Sequence, residues 1–329
     1  MLTIDVHTHF LPQPYIDTLI RHGINWTGGV DLAPWTPEAH LRFMDDWGID
    51  VGVLSCLAET GVYFGDQREA NELARNVNDI GADVVRRHPK RFGVFGAVPL
   101  PDVDAALAEV DHIYDDLGLD GVYLVSQVDG AYVGDPKWEP VYAALDRREA
   151  TVLLHPVEPK QTPELPWQHW IGEYVFDTTR VFMTLVFNGV LDRYPRINWI
   201  LSHGGGAVPY LGHRLAAAPR VVEAYQELVR RPIPAYLRSV YYDVAVADSQ
   251  VQVNTMVDAV GTDRMLFGTD WIYADKLFDH TRTGEHDLTQ LLGAGAARRV
   301  AGDNALRILP RLAERLAERL AERLESDRG

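Results

Sequence analysis

The chain contains one cysteine, Cys56, among 329 residues. An intrachain disulfide is therefore excluded, and a lone thiol fits a reducing cytoplasm. No apolar stretch approaches the roughly 20 residues needed to cross a bilayer. The N-terminus enters a β-branched apolar run directly and has no signal-peptide layout. Positive charge is in deficit, with 31 Lys and Arg against 47 Asp and Glu, a formal net charge of −16. That balance argues against nucleic acid or an anionic membrane as the main partner. A small anionic substrate is still allowed, because local arginine or metal charge can override the global field. Also missing is a G-x-G-x-x-G turn; Gly204-Gly205-Gly206 lacks that spacing. A dinucleotide-binding, doubly wound sheet is thereby disfavoured.

What is present is a soluble globular composition, 47% hydrophobic and 24% charged. The length allows two ordinary domains or one large α/β barrel. Eight apolar, β-branched runs occur at 2–6, 51–56, 92–98, 121–126, 151–155, 197–202, 239–246 and 264–268. Helical segments are expected between them, at Pro37–Gly48, Gln67–His88, Val103–Gly118, Pro140–Arg148, Asp177–Tyr194 and Gln250–Val260. Strands that alternate with helices make a parallel sheet, and eight such units predict a (β/α)8 TIM barrel.

Four of the eight runs lead into candidate ligands. The first reaches His7-Thr-His9, the fifth His155, the sixth His203 and the eighth Asp270. His7 and His9, two apart on a strand, point to one face and can grip one ion. In a barrel the C-terminal strand ends build the active site, so all five residues converge there. Three neutral imidazoles and one carboxylate suit a borderline divalent metal, zinc above all. The fifth residue, His203, precedes the glycine run and suits a proton donor or acceptor beside the metal. Asp270 has a second reading as a helix N-cap. Asp243, in Tyr241-Tyr-Asp243-Val-Ala, is a candidate partner of a metal ligand or a base.

Long aromatic connections at 11–36, 156–176 and 271–287 are expected to wall a substrate pocket. Trp167 is taken from them as a substrate-binding candidate. The end of the chain, 310–329, is an Arg-Leu-Ala-Glu repeat with high helix propensity. Its leucines recur every four residues, which drifts around a helix and makes no heptad seam. A solvated terminal helix, partly packed on the body or on a second subunit, is expected.

Asp5-Val-His7-Thr-His9-Phe10, Leu154-His155-Pro156, Ser202-His203-Gly-Gly-Gly206 and Phe267-Gly268-Thr-Asp270 resemble, in that order, the amidohydrolase superfamily. Within it they are similar to the branch that includes aminocarboxymuconate-semialdehyde decarboxylase. Arg91-Phe92-Gly, Tyr194-Pro195 and Gly302-Asp-Asn304-Ala add to the likeness, which covers about residues 2–309 and leaves the tail outside. The resemblance implies a distorted (β/α)8 barrel catalytic domain over 1–309. It implies one zinc, or else manganese, on His7, His9, His155 and Asp270, with His203 catalytic. Binuclear branches carry a bridging Lys or Glu at the end of the fourth strand. Gly121–Gln127 has neither, which favours one metal.

The implied activity is non-oxidative decarboxylation of a small conjugated or aromatic carboxylic acid, as a homodimer. The metal would act as Lewis acid, with His203 and Asp270 moving the proton. Hydrolysis of a lactone or amide on the same scaffold is the alternative. The branch holds a substrate carboxylate with an arginine before the second strand, and His40 stands at the matching position. A second family arginine, which can be supplied across a dimer interface, corresponds to Arg214.

Overall fold

The computed structural model describes residues 1–27, 30–32, 34–56, 61–159, 166–273 and 287–317. Eight parallel strands follow one another around a barrel: β1 (Ile4–Phe10), β2 (Val51–Cys56), β3 (Phe92–Ala97), β4 (Gly121–Val125), β5 (Thr151–His155), β6 (Asn198–Leu201), β7 (Tyr241–Asp243) and β8 (Met265–Leu266). Each pairs with the next in sequence. The turn back from β8 to β1 is made by main chain. The Val6 amide donates to the Phe267 carbonyl at 3.0 Å, and the His9 amide to the Trp271 carbonyl at 2.6 Å. This is the (β/α)8 barrel that the eight apolar runs predict. β1 to β5 are buried throughout, which is why they read as continuous Val, Ile and Leu runs and not as alternating ones.

The principal helices are α1 (Gln13–Arg21), α2 (Pro37–Trp47), α3 (Gln67–Arg87), α4 (Val103–Asp111), α5 (Glu139–Arg147), α6 (Glu173–Phe187), α7 (Val208–Val221), α8 (Gln250–Val260) and α9 (Pro310–Arg315). Their starts are written in capping residues. Thr36, Asp66, Asp102 and Ser249 each accept a hydrogen bond from a backbone N–H of the first turn, worth about 1 kcal/mol apiece.

Three expectations are modified. β1 runs on to Phe10, so His7 and His9 lie within the strand and not beyond it. The helix expected over 103–118 is α-helical only to Asp111, then widens into a π turn at His112–Asp116. The helix expected over 177–194 starts at Glu173 and breaks at Gly189, whose φ of +66° begins a separate turn, Val190–Arg193.

α9 and the residue after it are not solvated on every side. Leu312 and Leu316 are fully buried. Arg311 donates to the Leu119 carbonyl at 3.1 Å, and Arg315 donates to the Asp120 carboxylate at 2.9 Å. Leu119 and Asp120 precede β4, so the first turns of the tail cover the N-terminal end of the barrel. Leu320 and Leu324 lie outside the described residues.

Candidate metal centre and active site

His7 and His9 point inward from β1, His155 closes β5, and Asp270 follows β8. One ligand atom from each lies within 4.8 Å of the others. Ring centroids of His7, His9 and His155 are 4.9–5.1 Å apart. His203, just after β6, stands 5.0 Å from His7 and 5.3 Å from His155. Five residues spread from position 7 to position 270 thus meet at the C-terminal ends of the strands.

Each imidazole is anchored through Nδ1. His7 Nδ1 donates to Asp243 Oδ2 at 2.9 Å. His9 Nδ1 faces Ser55 Oγ at 3.1 Å, and Ser55 Oγ donates onward to the Thr8 carbonyl. His155 Nδ1 donates to the Pro156 carbonyl at 2.8 Å, and His203 Nδ1 to the Ala245 carbonyl at 3.1 Å. A nitrogen facing a carbonyl or carboxylate must carry the proton, so Nε2 keeps its lone pair on His7, His155 and His203. His9 has an acceptor at each nitrogen, Ser55 Oγ at Nδ1 and Asp270 Oδ1 at 3.0 Å from Nε2, so its Nδ1 contact alone does not fix its tautomer. This is the arrangement that orients histidines around a metal.

The site fits a cation. His7 Nε2 and His155 Nε2 are buried and lack a hydrogen-bond partner among the described residues, a cost that a metal removes. The Asp270 carboxylate lies 3.0 Å from His9 Nε2 and 3.4 Å from His7 Nε2. Burial opposes charge on His7, yet Asp243 and Asp270 outweigh it and carry its pKa up to about 10. Two buried carboxylates therefore draw a positive charge to this point. Burial also works against ionisation of Asp270, but His7 and His9 hold its carboxyl well below the usual range. Burial pushes His9, His155 and His203 down, His155 most of all. His7, His9, His155 and Asp270 thus form a divalent-metal site of three imidazoles and an ionised carboxylate, in which a bound cation would replace the extra proton that the two carboxylates draw to His7.

The surrounding backbone is built for close approach. Asp270 and His203 both have positive φ, +61° and +56°. The Asp270 amide donates to the His7 carbonyl at 2.7 Å, binding this ligand to β1. A Cβ on Gly206 would sit 2.1 Å from the Val175 carbonyl oxygen, at a φ of +62°; only glycine fits there. Asp5, two residues before His7 on β1, accepts from the Thr269 amide and hydroxyl. Burial outweighs those bonds and pushes its pKa up to about 7.

The remaining candidates lie elsewhere. Asp243 is fully buried behind the site, joining His7 to the His203 amide, which donates to its Oδ1 at 2.9 Å. His40 lies on the opposite face of β1 from His7 and His9. It is buried, donates through Nε2 to Thr8 Oγ1 at 3.0 Å and accepts from Trp35 Nε1 at 3.2 Å. Burial, with His9 and Arg91 nearby, takes its pKa down to about 3. It braces the strand and is not at the open side. Trp167 is 49% exposed on the long connection after β5. Arg214 is exposed on α7, with no ion-pair partner among the described residues. The metal donors, His203 and Asp243 come together; His40, Trp167 and Arg214 do not join them. Sequence reading misses Ser55, a lone polar residue near the end of an apolar strand, which is the same signal that marks His155. Tyr273, in the aromatic connection 271–287 expected to wall the pocket, has its ring 5.2 Å from that of His9. The Ala245 carbonyl leaves no side-chain signal at all.

A barrel with four such donors at its mouth defines a class of metal-dependent enzymes. Residues 4–311 match the amidohydrolase family, and the chain belongs to it. A 6-methylsalicylic acid decarboxylase of Penicillium expansum is 31% identical over 321 residues, covering 95% of this chain and 97% of that protein. A 2-amino-3-carboxymuconate-6-semialdehyde decarboxylase of Dictyostelium discoideum is 25% identical over 296 residues, 82% of this chain and 81% of its own. Among solved structures, a dihydroxybenzoic acid decarboxylase from Polaromonas sp. JS666, with bound manganese and 2-nitroresorcinol, superposes with a TM-score of 0.75. It is 22% identical and covers 94% of this chain and 97% of its own. The branch resemblance read from the motifs is borne out.

Proposed function

We propose that the protein is a mononuclear metal-dependent decarboxylase, a carbon–carbon lyase acting on a small aromatic or conjugated carboxylic acid. The observation that carries this is the inward set of His7, His9, His155 and Asp270 with His203 beside it, in a chain similar along its length to a 6-methylsalicylic acid decarboxylase. When bound, the divalent cation supplies Lewis-acid chemistry, drawing electron density from an adjacent substrate oxygen. Three imidazoles and a carboxylate suit zinc; the manganese of the Polaromonas enzyme makes that ion the alternative.

The chain's own groups then supply the proton. The bond to the carboxylate carbon breaks, carbon dioxide leaves, and the electron pair stays on the ring carbon. His203, whose resting proton is on Nδ1, takes a second proton from solvent at Nε2 and delivers it to that carbon, returning to the neutral ring. Burial keeps the His203 pKa below the ordinary histidine range, so its charged form gives up the proton readily. Asp270, held against His7 and His9, balances the positive charge during the transfer. Arg214, exposed, is the guanidinium available to clamp a substrate carboxylate. A homodimer is the arrangement in which it would serve the neighbouring subunit's site. Trp167, on the connection after the His155 strand, would close over the ring. A single buried cysteine, Cys56, fits a reducing cytoplasm.

The test is elemental analysis of purified protein followed by carbon dioxide release from 6-methylsalicylic, dihydroxybenzoic and muconate-type acids. About one zinc or manganese per chain with stoichiometric carbon dioxide supports the reading. Ring opening of lactones without carbon dioxide overturns it in favour of a hydrolase.

A further inference from the structure

After β7 the chain makes a tight turn, Val244–Ala247, closed by the Ala247 amide donating to the Val244 carbonyl at 3.0 Å. Its third residue, Val246, has a φ of +52°, and the other positive-φ non-glycine residues described are Asp129, Glu149, His203 and Asp270. Val is the one β-branched residue in that set, and β-branched side chains are the poorest fit to this region. Core packing does not force it there, since Val246 is 38% exposed.

The peptide before it demands the conformation. Negative φ at the second residue and positive φ at the third define a type II turn, in which the central peptide is rotated by about half a turn relative to type I. That rotation sends the Ala245 carbonyl to the opposite side. Here it meets His203 Nδ1 at 3.1 Å. The Ala245 amide is held at the same time by Asp243 Oδ1 at 3.1 Å, the oxygen that also takes the His203 amide. Two glycines pass close to the alanines of the turn. A Cβ on Gly268 would lie 3.4 Å from Ala245 Cβ, and one on Gly204 would lie 3.0 Å from Ala247 Cβ.

We infer that Val246 is a positioning residue: its left-handed backbone flips the Ala245 carbonyl onto His203 Nδ1 and so fixes His203 as the tautomer with Nε2 unprotonated. The strain is held at the one histidine of the cluster that the metal does not need. For its effect on turnover the inference rests on the decarboxylase reading; the tautomer itself does not.

The test uses zinc-loaded, 15N-histidine-labelled protein. Long-range proton–nitrogen spectra distinguish Nδ1–H from Nε2–H imidazole, and His203→Gln identifies the His203 signal among the 12 histidines. The expected result is an Nδ1–H tautomer at His203. Val246→Asn and Val246→Gly, which accept positive φ, keep that signature with Tm no lower than the parent. Val246→Pro, which fixes φ near −65°, loses it. Its kcat falls about 10–100-fold, the range for removing a partner that orients a site group, with metal content unchanged and KM little altered.

An Nε2–H signal in the parent protein overturns the inference. So does a lowered Tm in both Val246→Asn and Val246→Gly, or an intact signature in Val246→Pro. If Val246→Pro does not fold, the parent spectrum and the other two variants decide the matter. Absence of carbon dioxide release from the parent would remove the decarboxylase reading and leave the tautomer test standing.

Discussion

Replacing Asp243 by Asn keeps shape and removes one charge, and the hydrogen bonds around the carboxylate determine the response of the site. Asp243 Oδ1 accepts from the His203 amide at 2.9 Å and the Ala245 amide at 3.1 Å; Oδ2 accepts from His7 Nδ1 at 2.9 Å. In the variant the amide oxygen must stay with the two backbone donors. The new NH2 then faces His7 Nδ1, donor against donor. His7 relieves the conflict by moving its proton to Nε2, the atom that faces Asp270. A protonated Nε2 cannot ligate a metal, and Nδ1 is turned away from the site towards residue 243. The opposite amide orientation is worse, because it leaves two buried amides facing NH2 at about 1–3 kcal/mol each. Metal affinity should therefore fall by about 10–100-fold, as for partners of metal-bound histidines elsewhere. The readout is thermal or urea unfolding at a fixed free zinc concentration. Where zinc stands at 100 times the parent's Kd it stabilises the parent by about 2.7 kcal/mol, and a variant bound 100-fold more weakly by only about 0.4 kcal/mol. Zinc binding by Asp243→Asn within threefold of the parent would refute this argument.

His155→Ala should reduce bound metal from about one per chain to a trace, measured by elemental analysis; retention of stoichiometric metal would remove His155 from the ligand set. His203→Gln should keep the metal and lower kcat by about 10²–10⁴-fold; undiminished turnover would end its assignment to proton transfer. Arg315→Ala leaves the buried Asp120 carboxylate without its partner and should cost about 3 kcal/mol in urea unfolding at pH 7. That deficit should shrink in acid. Burial already raises the Asp120 pKa against the pull of Arg315, and losing Arg315 raises it further. A raised carboxyl pKa gives stability that is complete below the unfolded value, about 3.9, and lost as pH climbs through the folded one. A deficit that grows towards pH 4 contradicts the assignment.

The amino-acid sequence by itself determined the eight strands, because strands buried on both faces have no choice but to be apolar throughout. It also determined the metal donors. A histidine or aspartate that ends such a strand is conspicuous, and barrel topology sends every strand end to one mouth. Only the tertiary structure decided what stands behind them. The resemblance gives His40 the place of a substrate-holding arginine before the second strand, yet the two-residue period of β1 gives His7 and His9 to the interior and Thr8, with His40 against it, to the outside. The Arg-Leu-Ala-Glu tail reads as a helix packed on the body or on a second subunit, and only Asp120, 195 residues earlier, decides for the body by supplying the carboxylate that docks Arg315. The orientation of His203 depends on a backbone carbonyl in a strained turn, which is a property of φ and ψ and not of any side chain. Residue types fix which chemistry is available. Which nitrogen carries the proton is fixed by contacts between segments far apart in the chain, and those exist only once the barrel has closed.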